Sequence, residues 1–332
     1  MVRKALGILL TLFAVSIIIF SLVRLIPGDP AAAALGDQAS REQIEQFRRE
    51  MGLDKPIPQQ YLIFISSLLR GKLGLSGITF HDAMKDILYY FPATLELTLV
   101  AMTLAFVLGV LIGVSAGLTE NKKLDGLLSF LSIGGLSLPT FLVAITLQVI
   151  VGNLFPSFLI TGRIGSNFNI PRVTGLDLID SLLAANSAAF FSVLECLILP
   201  ASALMLGPLA TIMRLVRANT LREKGKSYIA NLRANGLPRS LLAWRYLLPN
   251  AVSPALTLAG LQFAELLGGS FVIETIFVFP GVGWLGVQAM IAKDVNMIQG
   301  VALMAALYFV LTNTVVDFLH TRIDPRIRLK EQ

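Results

Sequence analysis

The chain has 332 residues, of which 55% are hydrophobic and only 14% charged, and its mean hydropathy is +0.74. This composition excludes an ordinary soluble domain and supplies enough apolar sequence for several bilayer spans of about 20 residues each. The net charge of +6 does not indicate a nucleic-acid-binding protein, because the basic residues flank apolar runs and form no basic domain.

Six stretches are long and apolar enough to cross a membrane, which predicts an all-α integral membrane protein with six transmembrane helices. In chain order they are residues 6–26, 93–118, 127–151, 192–215, 252–273 and 298–319. The intervening segments are polar and contain Gly and Pro, as expected of loops. We predict three parts: residues 1–92 with the first span, a core domain at 93–321, and a tail at 322–332.

Basic residues are distributed unevenly between alternate loops, and this predicts the orientation of the chain. With a cytoplasmic N-terminus, more than half of the 27 Lys and Arg residues lie inside, the densest group between Arg214 and Arg245. Both termini are therefore predicted to be cytoplasmic. The segments 27–92 and 155–191 then lie outside, where we expect them to pack on the spans and to offer a rim for a partner.

Two features inside the predicted spans invite a functional interpretation. Gly109, Gly113 and Gly117 recur every fourth residue, so they share one helix face and allow close helix packing, either within this chain or against a second subunit. Glu265 lies in the fifth predicted span, where a carboxylate is costly unless it is hydrated or paired. It is predicted either to line a polar pathway or to form a buried interhelical hydrogen bond.

The segment at residues 218–250 is too basic to enter a bilayer, yet apolar spans flank it on both sides. It is therefore predicted to be a cytoplasmic docking surface. Gly236 is expected to end a short helix with a positive φ, where glycine is favoured. The residues that we assign to docking are Tyr228, Ala230, Arg233, Ala234, Gly236, Arg239, Leu248 and Pro249.

Other apparent motifs predict no catalysis and no bound cofactor. The run Gly281-Val-Gly283-Trp-Leu-Gly286 has the letters of a dinucleotide fingerprint, but no strand is predicted before it. Gly225-Lys226-Ser227 ends like a phosphate-binding loop but lacks the glycine needed at position 220. With His81, His320 and Cys196 as the only histidines and cysteine, no zinc-site spacing and no intrachain disulfide is predicted.

The chain resembles a permease subunit of the dipeptide, oligopeptide and nickel class of ATP-binding-cassette (ABC) importers, of the B-subunit type. The similarity covers nearly the whole chain and rests on the order and spacing of several short motifs. These lie at residues 24–30, 52–56, 91–96, 134–139, 273–277, 279–283 and 324–326, together with the docking segment. One departure is Leu232, which stands where the family carries a small residue.

The resemblance implies a type I ABC importer permease fold with a cytoplasmic coupling helix in a bacterial inner membrane. It implies four kinds of partner: a second, homologous permease, two ATPases that bind ATP and Mg²⁺, an extracytoplasmic binding protein and membrane lipid. The cargo implied is a dipeptide or oligopeptide, with nickel, another metal chelate or a haem-like ligand as alternatives. A secondary transporter is a weaker alternative, because only Glu265 stands as a charged site near mid-membrane.

Overall fold

Helices account for every regular element among the residues that the structure describes. The structure is a computed structural model, and it describes residues 2–24, 40–50, 52–119 and 138–323, with residues 121, 123, 126–128 and 134 between them. Residues 2–5, 23, 24, 47, 50, 239 and 317–323 are described by their backbone alone. Most of the motif at residues 24–30, half of the one at 134–139 and all of the one at 324–326 lie outside the described residues, as does most of the predicted tail. The all-α prediction is confirmed.

The helices differ greatly in length, from one or two turns to more than ten. In chain order they are α1 (Val2–Arg24), α2 (Arg41–Glu50), α3 (Ile57–Leu69), α4 (Ala83–Leu118), α5 (Thr140–Leu154), α6 (Asp177–Leu183), α7 (Ser187–Lys224), α8 (Ser227–Ala234), α9 (Leu248–Gly269), α10 (Phe271–Ile276), α11 (Val282–Ile291) and α12 (Val295–Ile323). A single turn at Arg239–Leu241 and a π-helical stretch at Leu242–Leu247 lead into α9.

Four of the described helices, α4, α7, α9 with its π-helical lead-in, and α12, are long and apolar enough to cross a membrane. They correspond to the second, fourth, fifth and sixth predicted spans. The first and third predicted spans coincide with the shorter apolar stretches Leu6–Leu22 and Thr140–Leu154. Much of the third span's first half lies outside the described residues, so the count of six remains a prediction.

The predicted bounds of the spans need correction. Helix α4 begins ten residues before the predicted start at position 93, because Asp82 caps it by accepting a 2.9 Å hydrogen bond from the Met84 N–H. It continues through Pro92, so the predicted division between residues 92 and 93 falls inside one helix. Helix α9 ends at Gly269, four residues before the predicted end, and Ser270 separates it from α10.

Helices α4 and α7 pack along most of their length and form the centre of the bundle. A Cβ atom added at any of the three glycines would lie within 3 Å of a residue of α7. The residue met is Ile212 for Gly109, Met213 or Val216 for Gly113, and Thr220 for Gly117. The glycine face therefore allows close packing within this chain.

Helices α9 and α12 pack beside this pair. Gly260 of α9 directly faces the side chain of Val316 on α12. Helix α1 packs against α12, and its Phe20 lies edge-on to Tyr61 of α3 at 5.3 Å between ring centroids.

Loops that are distant in the sequence meet at one end of the bundle. The Thr94 hydroxyl near the start of α4 accepts a 2.8 Å hydrogen bond from the Val282 N–H, and the Gly162 N–H donates to the Phe277 carbonyl at 3.0 Å. Helix α8 and its flanks lie at the opposite ends of α7 and α9. The segments predicted to be extracytoplasmic therefore share one side, and the predicted docking segment lies on the other.

Candidate functional site

The candidate site is the docking segment, residues 218–250, which begins in the last turns of α7 and continues into α8. This helix ends in a Schellman motif: the Leu237 N–H donates to the Leu232 carbonyl at 3.2 Å and the Gly236 N–H to the Arg233 carbonyl at 3.1 Å. Gly236 has a φ of 79°, and a Cβ there would meet nothing within 4 Å. Glycine is therefore favoured at this position by backbone conformation and not by lack of space.

Tyr228 and Ile229 hold α8 against the rest of the chain. The Tyr228 hydroxyl donates to Glu223 Oε2 at the end of α7 at 2.9 Å and accepts a 3.4 Å hydrogen bond from the Asn250 amide at the start of α9. Burial and the Glu223 carboxylate together raise the pKa of Tyr228. Ile229 is buried. Tyr228 therefore joins α8 to two long helices at once, and its hydroxyl points into this chain.

The opposite face of α8 is open, small and basic. Ala230, Arg233, Ala234 and Gly236 are exposed, while Leu232 is half-buried. Arg233 on this face is exposed, as are Arg245 and Trp244 of the following π-helical stretch, whereas Lys226 is paired with Glu223 at 2.5 Å. Small side chains leave the helix backbone accessible, and basic groups suit carboxylates or carbonyl oxygens on a partner. Among the predicted docking residues, the side chain of Arg239 lies outside the described part.

The chain returns to the bundle through the π-helical stretch Leu242–Leu247, a form that is rare and often found at functional sites. Leu242, Ala243 and Leu247 are buried and Trp244 faces outward. Leu248 and Pro249 open α9, where a proline loses no intrahelical hydrogen bond. Leu248 packs against the core of α4, α7 and α9. Leu248 therefore anchors the docking segment to the core, whereas Pro249 is exposed.

Glu265 lies nearer the end of its helix than the sequence predicted. Because α9 stops at Gly269, the carboxylate is in the last two turns. Its side chain is exposed and shares one face of α9 with the exposed residues Pro254, Leu261 and Gly269. The Glu265 side chain is not buried between helices of this chain, and both interpretations of it, pathway lining and an interhelical hydrogen bond, stay predictions.

A cleft of about 860 Å³ opens between α4, α9 and α12. Its walls are almost wholly apolar, with Leu99, Phe106, Gly260, Phe263, Leu311 and Val315 among the lining residues. Glu265 is two residues beyond Phe263 and lies on a different face of α9. Glu265 therefore lies outside the cleft, although Pro254 on the same face of α9 lines it.

The sequence interpretation missed a buried carboxylate, Glu274. It is fully buried, accepts a 2.6 Å hydrogen bond from the Ser270 hydroxyl, and accepts the Trp284 N–H at 2.9 Å. A Cβ atom added at Gly281 or Gly283 would lie within 3 Å of the Glu274 Oε2 atom. Glu274 thus caps the N-terminus of α11, where the sequence provides no capping side chain. The signal was present as two adjacent motifs, residues 273–277 and 279–283.

A second polar cluster fixes the loop before α6. Arg163 Nη2 donates a hydrogen bond to Glu96 Oε2 at 2.7 Å. Arg163 Nε lies 3.0 Å from Asp177 Oδ2, and this contact is an ion pair without hydrogen-bond geometry. Burial raises the pKa of Asp177 to about 6, against the opposing effect of Arg163. At Asp180, burial also favours a higher pKa, but hydrogen bonds from Thr174 and its neighbours outweigh it and hold the pKa below its ordinary value.

No candidate metal centre is seen in the part of the chain that the structure describes. Within those residues, no group of three or more His, Cys, Asp or Glu side chains has a metal-binding arrangement. Cys196 is a buried free thiol, and burial keeps it from reagents in the solvent. The carboxylates that cluster, Glu96 with Asp177 and Glu274 with its donors, are held by this chain's own donors.

Long apolar helices, with a folded loop layer at one end of the bundle and a small exposed surface on α8 at the other, define a polytopic membrane protein. Residues 109–329 match the family described as the binding-protein-dependent transport system inner membrane component, and residues 1–98 match the N-terminal family of the same systems. The chain belongs to this family of transport-system membrane components.

Proteins of similar sequence align with almost the whole chain. It is 36% identical to the probable D,D-dipeptide transport system permease protein DdpB of Escherichia coli, covering 98% of this chain and 96% of that protein. It is 37% identical to the di/tripeptide transport system permease protein DppB of Pseudomonas aeruginosa, covering 98% of each. It is 32% identical to the glutathione transport system permease protein GsiC of Pectobacterium atrosepticum, covering 99% and 98%.

A solved structure shares the fold. The methionine ABC transporter MetNI, in an inward-facing conformation, aligns with a TM-score of 0.53 and 17% identity, covering 73% of this chain and 97% of that one. At this identity the match shows the fold alone. The fold is that of an ABC transporter membrane subunit, as the resemblance implied.

Proposed function

We propose that this chain is the permease subunit of an ATP-driven importer and that α8 is the element on which an ATPase docks. The observation that supports this most directly is the attachment of Tyr228, which bonds to Glu223 of α7 and to Asn250 of α9. A push on the open face of α8 is thereby passed to two long helices together. Such a linkage converts closure of the ATPases into rigid-body motion of the spans.

The cargo that we propose is a dipeptide or short oligopeptide. The relatives above carry names that refer to D,D-dipeptides, to di- and tripeptides and to glutathione, and each aligns over almost its whole length. A peptide carries a positively charged amino group at neutral pH. The exposed carboxylate of Glu265 is suited to such a group, and we assign it to the pathway.

Two further partners follow from the surfaces that the chain leaves uncovered. In the most apolar part of α9 only 22% of the residues are buried, and the exposed face carries Glu265. A second, homologous permease on that side would cover the remaining apolar surface and complete the pathway. An extracytoplasmic binding protein would deliver the peptide, while two ATPases bind the ATP and Mg²⁺. We assign no catalytic residue and no cofactor to this chain.

The orientation that we propose places α8 and both termini in the cytoplasm of a bacterial cell. The basic side chains Lys226, Arg233 and Arg245 on the docking side support it, because cytoplasmic loops carry the excess of Lys and Arg. The segments around α3, α6 and α11 then face outward together. Membrane lipid covers the apolar flanks of the bundle.

The function is tested by reconstituting the chain with the second permease, the ATPases and the binding protein of its own transport system in proteoliposomes. We expect ATP-dependent uptake of a radiolabelled dipeptide, and no uptake when the ATPases carry a hydrolysis-blocking substitution. Ni²⁺ at the same concentration serves as the control cargo. Uptake of Ni²⁺ without uptake of any peptide would refute the proposed cargo, and peptide uptake without ATP would refute the proposed mechanism.

A further inference from the structure

A tight loop stands on the side opposite α8, between α3 and α4. It is closed by an antiparallel bridge between Leu75 and Asp82, and the Ser76 N–H donates to the His81 carbonyl at 2.8 Å. The buried carboxylate of Asp294, just before α12, accepts the Ser76 hydroxyl at 2.6 Å and the Gly77 N–H at 2.7 Å. The loop is therefore fastened to a second segment 217 residues away and is rigid without any partner.

This rigid loop presents a large apolar side chain to solvent. Phe80 is 76% exposed and has a φ of 57°, a conformation that costs a residue with a Cβ about 1–2 kcal/mol. The Phe80 N–H donates to the Ser76 carbonyl at 3.0 Å, which holds the turn in place. Strained residues that a fold maintains at its surface are concentrated at functional sites.

Further apolar side chains are exposed on the two segments that Asp294 joins. On the loop these are Leu75 and Ile78, and at the end of α11, whose Ala289 carbonyl accepts the Asp294 N–H at 2.9 Å, they are Met290 and Ile291. Together with Phe80, these four residues form what we call the apolar patch. Phe80 precedes α4 by three residues and therefore lies beyond the end of this long apolar helix.

The charges around the apolar patch are of one sign. The exposed ionic side chains that border it in the sequence are Arg70, Lys72, Lys85 and Lys293, with the His81 imidazole exposed as well. The neighbouring acids are turned inward: Asp82 caps α4, Asp86 accepts the Thr79 hydroxyl, and Asp294 is buried. A complementary surface is therefore apolar at its centre and acidic at its rim.

We propose that the apolar patch is the docking surface for the extracytoplasmic binding protein and that it inserts Phe80 into an apolar pocket with an acidic rim. This rests on the proposed function and adds to it the residues and the chemistry of the contact. A binding protein is the partner that membership of a binding-protein-dependent transport family supplies on this side. An exposed aromatic side chain on a rigid turn is the kind of residue that dominates binding energy.

The test uses the complete transporter in phosphatidylcholine vesicles and the purified binding protein that supports uptake by the same system. The quantity measured is the binding-protein concentration that gives half-maximal stimulation of ATP hydrolysis. Phe80→Asn removes the apolar ring but keeps the turn, since asparagine tolerates a positive φ. We expect this concentration to rise at least tenfold. The matched control is Val173→Asn, which removes an apolar side chain that is 70% exposed on the same side but outside the patch, and here we expect no change.

Charge reversal tests the acidic rim. For Lys85→Glu and Lys293→Glu we expect the binding-protein concentration that gives half-maximal stimulation to rise three- to tenfold at low ionic strength. This rise should shrink as salt is added, because salt screens exposed charges. If the wild-type complex responds to the binding protein and Phe80→Asn responds equally, the docking proposal is wrong while the proposed function stands. If the wild type itself shows no response, the proposed function fails. If the lysine variants change hydrolysis only in vesicles containing anionic lipid, without binding protein, the patch contacts lipid and the proposal is refuted.

Discussion

The turn at Gly236 offers the sharpest perturbation of the docking segment. Its φ of 79° lies in the left-handed region, where a residue with a Cβ loses about 1–2 kcal/mol, and a β-branched side chain is the least suited to it. A Cβ at this position meets no other atom within 4 Å, so the whole effect is conformational. Gly236→Val is therefore expected to release the two Schellman hydrogen bonds and to unwind the end of α8.

The consequence is large because α8 has only eight residues, and isolated helices of this length are marginal. A loss of 1–2 kcal/mol lowers the population of the ordered turn by a factor of about 5–30. We expect Gly236→Val to abolish transport and to weaken binding of the ATPases, with membrane insertion unchanged. The assay is co-purification of the ATPases with the tagged permease, together with transport-coupled ATP hydrolysis in proteoliposomes.

Two control variants separate the effect of the left-handed backbone conformation from the effect of replacing a glycine. Gly225→Ala changes the other glycine of the segment, which has an ordinary negative φ and room for a Cβ at 3.6 Å from the Arg222 carbonyl, so we expect near-normal transport. Gly236→Asn keeps a residue that tolerates the left-handed region and should fall between wild type and valine. Full transport-coupled hydrolysis by Gly236→Val would refute the assignment of this turn to coupling.

Three further predictions concern the pathway, the topology and the outer loops. Glu265→Gln is expected to lower uptake of amino-bearing peptides about tenfold, a loss of roughly 1.4 kcal/mol, with assembly preserved; disrupted assembly or unchanged uptake of every ligand would exclude a pathway role. Cysteine at Gln43 or Asn167 should react with an impermeant thiol reagent from outside and cysteine at Ser227 should not, and the reverse pattern would overturn the orientation. Because the pKa of Asp177 is raised from 3.8 to about 6, its ionisation disfavours the fold as pH rises through that interval. Asp177→Asn should lack this pH-dependent loss of stability, so the melting temperature of the variant minus that of wild type should increase between pH 4 and pH 6.5. A difference that stays constant would contradict the assigned cause.

Features that depend on local sequence were predictable. The docking segment was predicted from its charge, and the positive φ of Gly236, predicted from a glycine after a short helical run, is confirmed. The long apolar helices followed from composition, whereas the orientation inferred from the distribution of Lys and Arg stays a prediction. In each case the decisive residues lie within a few positions of one another.

Features that depend on contacts between distant segments were not predictable. Thr94 and Val282 are 188 residues apart, yet they bond to each other beside Glu274, and only the folded chain shows why Gly281 and Gly283 must be glycine. Pro92 was taken as a boundary, whereas α4 runs through it because packing against α7 outweighs the loss of one backbone hydrogen bond. The motifs at residues 273–277 and 279–283 mark the region of Glu274 but do not show that its carboxylate is buried, and no period or motif identifies the exposure of Phe80.

Cross-linking from α8 tests the central claim, that its open face is the ATPase dock, most directly. Single cysteines at Ala230 and Ala234 are exposed on that face, and the native Cys196 is 1% exposed and gives little background. With a short bifunctional thiol reagent and an ATPase that carries one surface cysteine, the account predicts cross-linked permease–ATPase product from both positions and none from a cysteine at Val173, on the opposite side. Product from Val173, or none from Ala230 and Ala234 in an ATP-hydrolysing complex, would contradict it.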